Sequence, residues 1–216
     1  MIDYIALHQL LPKVFVGTRV GEDLSDIWLR DVQWHRGESI LIEAESGRGK
    51  TSLCGFISGI RSDYVGSVQY LAADGSQLPL STSTLLRQHI GVMYQEHRLF
   101  AELSAVENIM LKAQLTQFVT ETEVRQLLCR LGLSACLDRP CSTLSLGQQQ
   151  RVAFVRALSM PCSFLLLDEP VSHLDPQNGE VMAQILQERQ QKAPLGLIVT
   201  SVGHRLEYPY DRILKL

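Results

Sequence analysis

Short apolar runs recur along the chain: Ser39–Ala44, Ile90–Met93 running into Gln95, Phe164–Leu167 running into Asp168, and Leu195–Thr200. Unbroken runs of this length predict strands buried on both faces, as in a parallel sheet. Residues 1–35 read differently. Tyr4–Leu7, Val14–Val16 and Ile27–Val32 are β-like patches, with a polar break at Gly21-Glu22-Asp23 and a turn at Arg36-Gly37-Glu38. They predict an antiparallel β layer ahead of the first buried strand. Gly66–Leu71 reads as a short strand followed by an Asp74-Gly75 turn, and Arg212–Leu216 as a final strand.

The period changes to helical near Ser52, again from about Glu96 to Ser159, and after Asp175. Thr120-Glu121-Thr122-Glu123 is a capping box, with Val124, Leu127, Leu128 and Leu131 at helical spacing and Gly132 as the stop. Asp175-Pro176 pairs an N-cap with proline at the first helical position, and Val181, Met182, Ile185 and Leu186 mark a buried face. The pattern therefore predicts an α/β fold over 1–216, as one domain. Residues 1–95 and 160–216 form the sheet core with its β layer, and 96–159 form an inserted α-helical subdomain.

The chain has 216 residues, 45% of them hydrophobic, and a net charge of −3, which gives no general electrostatic case for nucleic acid. It shows no secretory leader and no run of apolar residues long enough to span a membrane. The cysteines Cys54, Cys129, Cys136, Cys141 and Cys162 form no C-x-x-C pair and read as reduced thiols; zinc on Cys136 and Cys141 would need ligands not found nearby.

Three stretches carry candidate chemistry. Glu45-Ser46-Gly47-Arg48-Gly49-Lys50-Thr51 joins a strand to a helix through a glycine-rich turn, the form of a phosphate cradle; a tight turn with a surface lysine is the plainer reading. Asp168 and Glu169 stand together at the end of a buried strand, where unpaired charge is costly. A metal held by Asp168 and a water activated by Glu169 would account for both; a solvated strand end is the alternative. Ser145-Leu146-Gly147-Gln148 opens a helix and reads equally as a capping box or as an anion-binding N-terminus. Gln95 is placed at a strand's C-terminal edge, and Phe15 is either core or a base-stacking ring.

Taken in order, these segments resemble the ATP-binding subunits of ABC transporters, which are P-loop NTPases. Ala44–Thr51 matches Walker A, Gln95 the Q-loop glutamine, Leu144–Gln148 the signature, Phe164–Glu169 Walker B, and Ser172-His173-Leu174-Asp175 the D-loop. The resemblance implies ATP with Mg²⁺. Phe15 and Ala44, Glu45, Ser46, Gly47, Arg48, Gly49, Lys50, Thr51 and Ser52 would bind nucleotide, and Thr51, Gln95 and Asp168 would hold the metal. Glu169, Gln95 and His204 would serve hydrolysis. Ser145, Gly147 and Gln148 would reach the nucleotide of a second cassette, most simply a homodimer partner, with Asp175 at the dimer contact. Integral membrane permease subunits, as separate chains, would be driven from the cytoplasmic face of the cell membrane, since the last strand leaves no room for a C-terminal regulatory domain. Gln95–Phe100 and Ala105–Ile109 resemble the lipoprotein-release, macrolide-export and cell-division branch.

This chain departs from the family pattern at three places. Ala44 replaces the first Walker A glycine, Leu146 replaces a signature glycine, and Thr200-Ser201-Val202-Gly203-His204 delays the switch histidine, leaving Ser201 or His204 for that place. A transport ATPase is the main expectation. The alternative is an ATP-binding, dimerising module with weak hydrolysis that signals through a membrane partner.

Overall fold

The computed structural model describes residues 1–18 and 25–216, so the acidic break at Gly21-Glu22-Asp23 lies outside the described residues. Two sheets form the frame. β1 (Tyr4–Pro12), β2 (Asp31–His35) and β4 (Tyr64–Leu71) make an antiparallel sheet in the order β2-β1-β4. β3 (Ser39–Glu43), β5 (Ile90–Met93), β6 (Phe164–Asp168), β7 (Gly196–Ser201) and β8 (Arg212–Lys215) make a parallel sheet in the order β5-β6-β7-β3-β8.

The apolar runs are buried on both faces because each face has its own core. Leu41, Leu165, Leu167, Leu197 and Val199 point toward the helical side. Their neighbours Ile40, Ile42, Phe164, Leu166 and Ile198 point toward the antiparallel sheet and helix α1 (Lys50–Ile57). Alternation of side chains along a strand gives this division.

Between β5 and β6 lie α2 (Ala105–Thr116), α3 (Glu121–Arg130) and α4 (Leu146–Leu158); α5 (Pro176–Lys192) lies between β6 and β7. Thr120, Ser145 and Asp175 cap their helices as the sequence predicts, the first two with reciprocal capping boxes. On α5, Met182, Ile185 and Leu186 are buried while Val181 is only half-buried.

Several boundaries differ from expectation. Val14–Val16 is not a strand: Lys13–Phe15 is a 3₁₀ turn. Ile27 and Trp28 are buried, but in a loop whose amides are held by the Ser25 hydroxyl at 3.0 and 2.9 Å, so their apolarity fills the core without strand pairing. Helix α1 starts at Lys50, two residues before Ser52, because Gly49 takes the left-handed conformation and admits the chain directly to helix. Residues 96–104 are not helical. His97 and Arg98 are both left-handed (φ 57° and 50°), and the Arg156 guanidinium donates to their carbonyls at 2.5 and 2.8 Å.

Candidate functional site

The site is built where β3, β5, β6 and β7 end together. β3 delivers the loop 44–49. Ala44 continues the ladder with β7, its N–H donating to Ser201 O at 3.2 Å, and it is not among the residues with positive φ, so the alanine carries no left-handed strain there. Gly49 has φ 95°, and a Cβ on it would lie 3.0 Å from the Phe15 ring and 3.1 Å from the Trp28 ring. Trp28 also donates from Nε1 to Arg48 O at 3.1 Å, so two aromatic rings and one hydrogen bond hold the loop from below.

Lys50, 5% exposed, folds over this loop. Its Nζ donates to Ala44 O and Glu45 O at 3.3 and 3.0 Å and lies 3.7 Å from Glu169 Oε1. Thr51 Oγ1 donates to Asp168 Oδ2 at 2.6 Å. The parallel register sets Asp168 opposite Thr200, whose hydroxyl donates to Asp168 Oδ1 at 2.5 Å. Asp168 is fully buried, a position costing several kcal/mol for an unpartnered charge, and each of its oxygens has a short donor. Burial first, and the Asp168 charge second, push the Cys54 thiol well above its ordinary value, so this cysteine stays protonated.

Glu169 turns the chain sharply. Its φ of 51° is left-handed, a conformation that costs a non-glycine residue about 1–2 kcal/mol. Thr200 holds its N–H through O and Oγ1 at 3.2 and 3.3 Å. The reversal directs the carboxylate back toward Lys50 on one side and Gln95 on the other, with Gln95 Nε2 at 3.4 Å from Oε2. Gln95 arrives there because β5 pairs with β6 and ends two residues earlier.

The sequence profile of the family described as ABC transporter matches residues 30–172. The chain belongs to this family. Macrolide export ATP-binding/permease protein MacB of Salmonella choleraesuis (strain SC-B67) is 35% identical over 178 residues, covering 80% of this chain and 28% of MacB. Lipoprotein-releasing system ATP-binding protein LolD of Novosphingobium aromaticivorans is 34% identical over 185 residues, covering 83% of this chain and 82% of LolD. The chain therefore spans less than a third of the MacB relatives and most of LolD. The dimeric structure of MJ0796, a bacterial ABC transporter cassette, shares the fold with a TM-score of 0.80 at 23% identity, covering 98% of this chain and 94% of that one. MacB and LolD are named for macrolide export and lipoprotein release, two of the systems in the one branch that the residues around Gln95 resemble.

In the ABC cassette seen here, the other sequence-selected residues stand apart from the carboxylates. Ser145 is exposed; its hydroxyl accepts from Gln148 N at 3.2 Å while Gln148 Oε1 accepts from Ser145 N at 2.9 Å. Leu146 is 57% exposed and points away from the core. Asp175 caps α5, accepting from Asn178 N and Nδ2 at 2.9 and 2.7 Å; these hydrogen bonds hold its carboxyl below the usual carboxylate range. Beyond β7, Val202 and Gly203 line a cleft of about 450 Å³ beside the loop 44–49, with Ala44, Glu45 and Arg48. His204 does not line it; the residue is exposed and its carbonyl accepts from Ser201 Oγ at 2.7 Å. Phe15 is half-buried beside Gly49, Glu45, Ser46 and Gly47 are exposed, and Ser52 accepts from Arg61 at 2.8 Å. Thr200 and Trp28 were not singled out from the sequence. Thr200 stood in view at the end of a buried strand, but its role needs the β6–β7 register; Trp28 read as one more apolar residue in a presumed strand.

Proposed function

We propose that this cassette hydrolyses ATP as one half of a head-to-tail pair, and that closure of the pair drives a separate membrane permease. The observation that supports this reading is the convergence of Lys50, Thr51, Asp168, Glu169 and Gln95 within direct contact at one sheet edge. In this reading the backbone of 44–52 wraps the phosphates and the start of α1 adds its dipole. Lys50 exchanges the carbonyls of Ala44 and Glu45 for phosphate oxygens, and Phe15 stacks on the adenine.

Thr51 Oγ1 and the buried Asp168 are hard oxygen donors that fit Mg²⁺, with Gln95 beside them. Among the described residues no three His, Cys, Asp or Glu side chains are grouped to hold a metal, which accords with a shell completed by nucleotide oxygens. When bound, Mg²⁺ supplies neutralisation of phosphate charge. Glu169 accepts a proton from water as the water oxygen bonds to the γ-phosphorus. The bond from that phosphorus to the β–γ bridging oxygen breaks, leaving ADP and phosphate. Ser145, Gly147 and Gln148 meet the partner's nucleotide, with Asp175 at the dimer contact and His204 joining from its loop on closure.

The relatives MacB and LolD are named as ATP-binding proteins of export and release systems, which supports a permease partner. Among the described residues no helix is long and apolar enough to cross a membrane. We place the cassette on the cytoplasmic face of the cell membrane, held there by its permease. A second reading, binding with weak hydrolysis, draws on Leu146, exposed where the family pattern has glycine, and on His204, whose imidazole makes no hydrogen bond or ion pair among the described residues. Steady-state ATPase assays with Mg²⁺ and with EDTA separate the two. Mg²⁺-dependent turnover well above that of Glu169→Gln is expected; turnover no higher than that variant, with ATP still bound, would favour the second reading.

A further inference from the structure

We infer that Gln150 is a positioning residue for hydrolysis: it fixes the backbone of Glu169 and ties it to the loop Ser172–Asp175. The inference rests on the reading of Glu169 as the proton acceptor. Gln150 lies one turn into α4 and is 1% exposed. A buried side chain that only fills space at this place has no need of an amide. Here the amide is engaged at both ends. Nε2 donates to Glu169 O at 2.9 Å and to Ser172 Oγ at 3.2 Å, and Oε1 accepts from His173 N at 3.1 Å.

These contacts fall on the strained residue. Glu169 is left-handed, and its N–H is held by Thr200 on one side. Gln150 holds its carbonyl on the other, so the two peptide planes flanking the Glu169 α-carbon are pinned from different elements. Relaxation of Glu169 to an ordinary conformation would swing its carboxylate away from Lys50 and Gln95. The same turn of α4 also lies against the loop: a Cβ on Gly147 would sit 2.6 Å from His173 O. The helix capped by Ser145 thus touches the loop at three points and Glu169 at one. A shift of that helix start is transmitted to the carboxylate through a single buried amide.

Gln150→Met keeps length and helix preference and removes all three hydrogen bonds. ATP affinity, the single-turnover hydrolysis rate and the melting temperature are measured for the wild type, Gln150→Met, Glu169→Gln and the double variant. The expected result is a hydrolysis rate at least tenfold lower with ATP affinity within twofold, and a double variant no slower than Glu169→Gln alone, since both changes act on one group. A Gln150→Met rate within twofold of wild type, beside an inactive Glu169→Gln, would overturn the positioning role and leave the base assignment standing. A double variant slowed by the same factor as the single would overturn it as well, marking a merely structural effect. Glu169→Gln at the wild-type rate would remove the base assignment and this inference with it. If Gln150→Met does not fold, Gln150→Glu, which keeps the length and loses the amide donor, is judged at pH 8.5 by the same criteria.

Discussion

Thr200 offers the sharpest test of how the buried carboxylate is held. Thr200→Val replaces the hydroxyl by a methyl of the same shape in a fully buried strand, so packing and strand preference are preserved. What is lost is the 2.5 Å hydrogen bond to Asp168 and the weaker 3.3 Å contact with Glu169 N, which keeps its bond to Thr200 O. A hydrogen bond to a charged group is worth about 1.5–3 kcal/mol, so the expected loss is about 2–3 kcal/mol. In a chain of this size each kcal/mol moves the melting temperature by about 2–4 °C, giving a drop of about 4–12 °C. Thr200→Ser is the control. It keeps the donor and loses one buried methyl, for about 1 kcal/mol and a drop of about 2–4 °C. Thermal unfolding followed by circular dichroism reads both. If Val melts at or above wild type, or Ser falls further than Val, then packing rather than the hydrogen bond holds this position and the account of Asp168 is wrong.

Two further outcomes are expected. Burial first and the Arg156 charge second lower Lys112 from 10.5 to about 8. Its folded pKa lies below the unfolded one, so between these values the unfolded state binds more protons and stability rises with pH; below about 8 the penalty is fully present. Urea midpoints at pH 7.5 and 9.5 should therefore show wild type gaining on Lys112→Met, by about 1–3 kcal/mol; a constant difference would refute it. In the proposed sandwich Leu146, 57% exposed at the start of α4, is expected to obstruct the paired face. Leu146→Gly in the Glu169→Gln background should increase ATP-dependent dimerisation by light scattering, and an unchanged dimer fraction would clear Leu146 of that role.

What the sequence revealed depended on how local the cause was. The strands Phe164–Asp168 and Ile90–Met93 were legible because burial on both faces leaves an unbroken apolar run, and the helix starts at Thr120, Ser145 and Asp175 because caps are bonded to residues three places on. Lys50 and Thr51 were legible as a motif at the start of a helix, and Gln95, Asp168 and Glu169 as residues at or just past the ends of strands. Ile27 and Trp28 misled, since burial in a Ser25-held loop looks the same in one dimension as burial in a strand. Thr200 and Gln150 were silent for another reason. Their partners are 32 and 19 residues distant, and only the sheet register and the packing of α4 reveal them.

Proton acceptance from the attacking water is the role proposed for Glu169, turned back by its left-handed backbone between Lys50 and Gln95. It is tested most directly by phosphate release in a single turnover, with wild type and Glu169→Gln saturated with ATP and Mg²⁺. The account predicts equal ATP affinity and release at least 100-fold slower in the variant, since general acid–base catalysis supplies about 10²–10⁴ in rate. Release at the same rate from both proteins would contradict it.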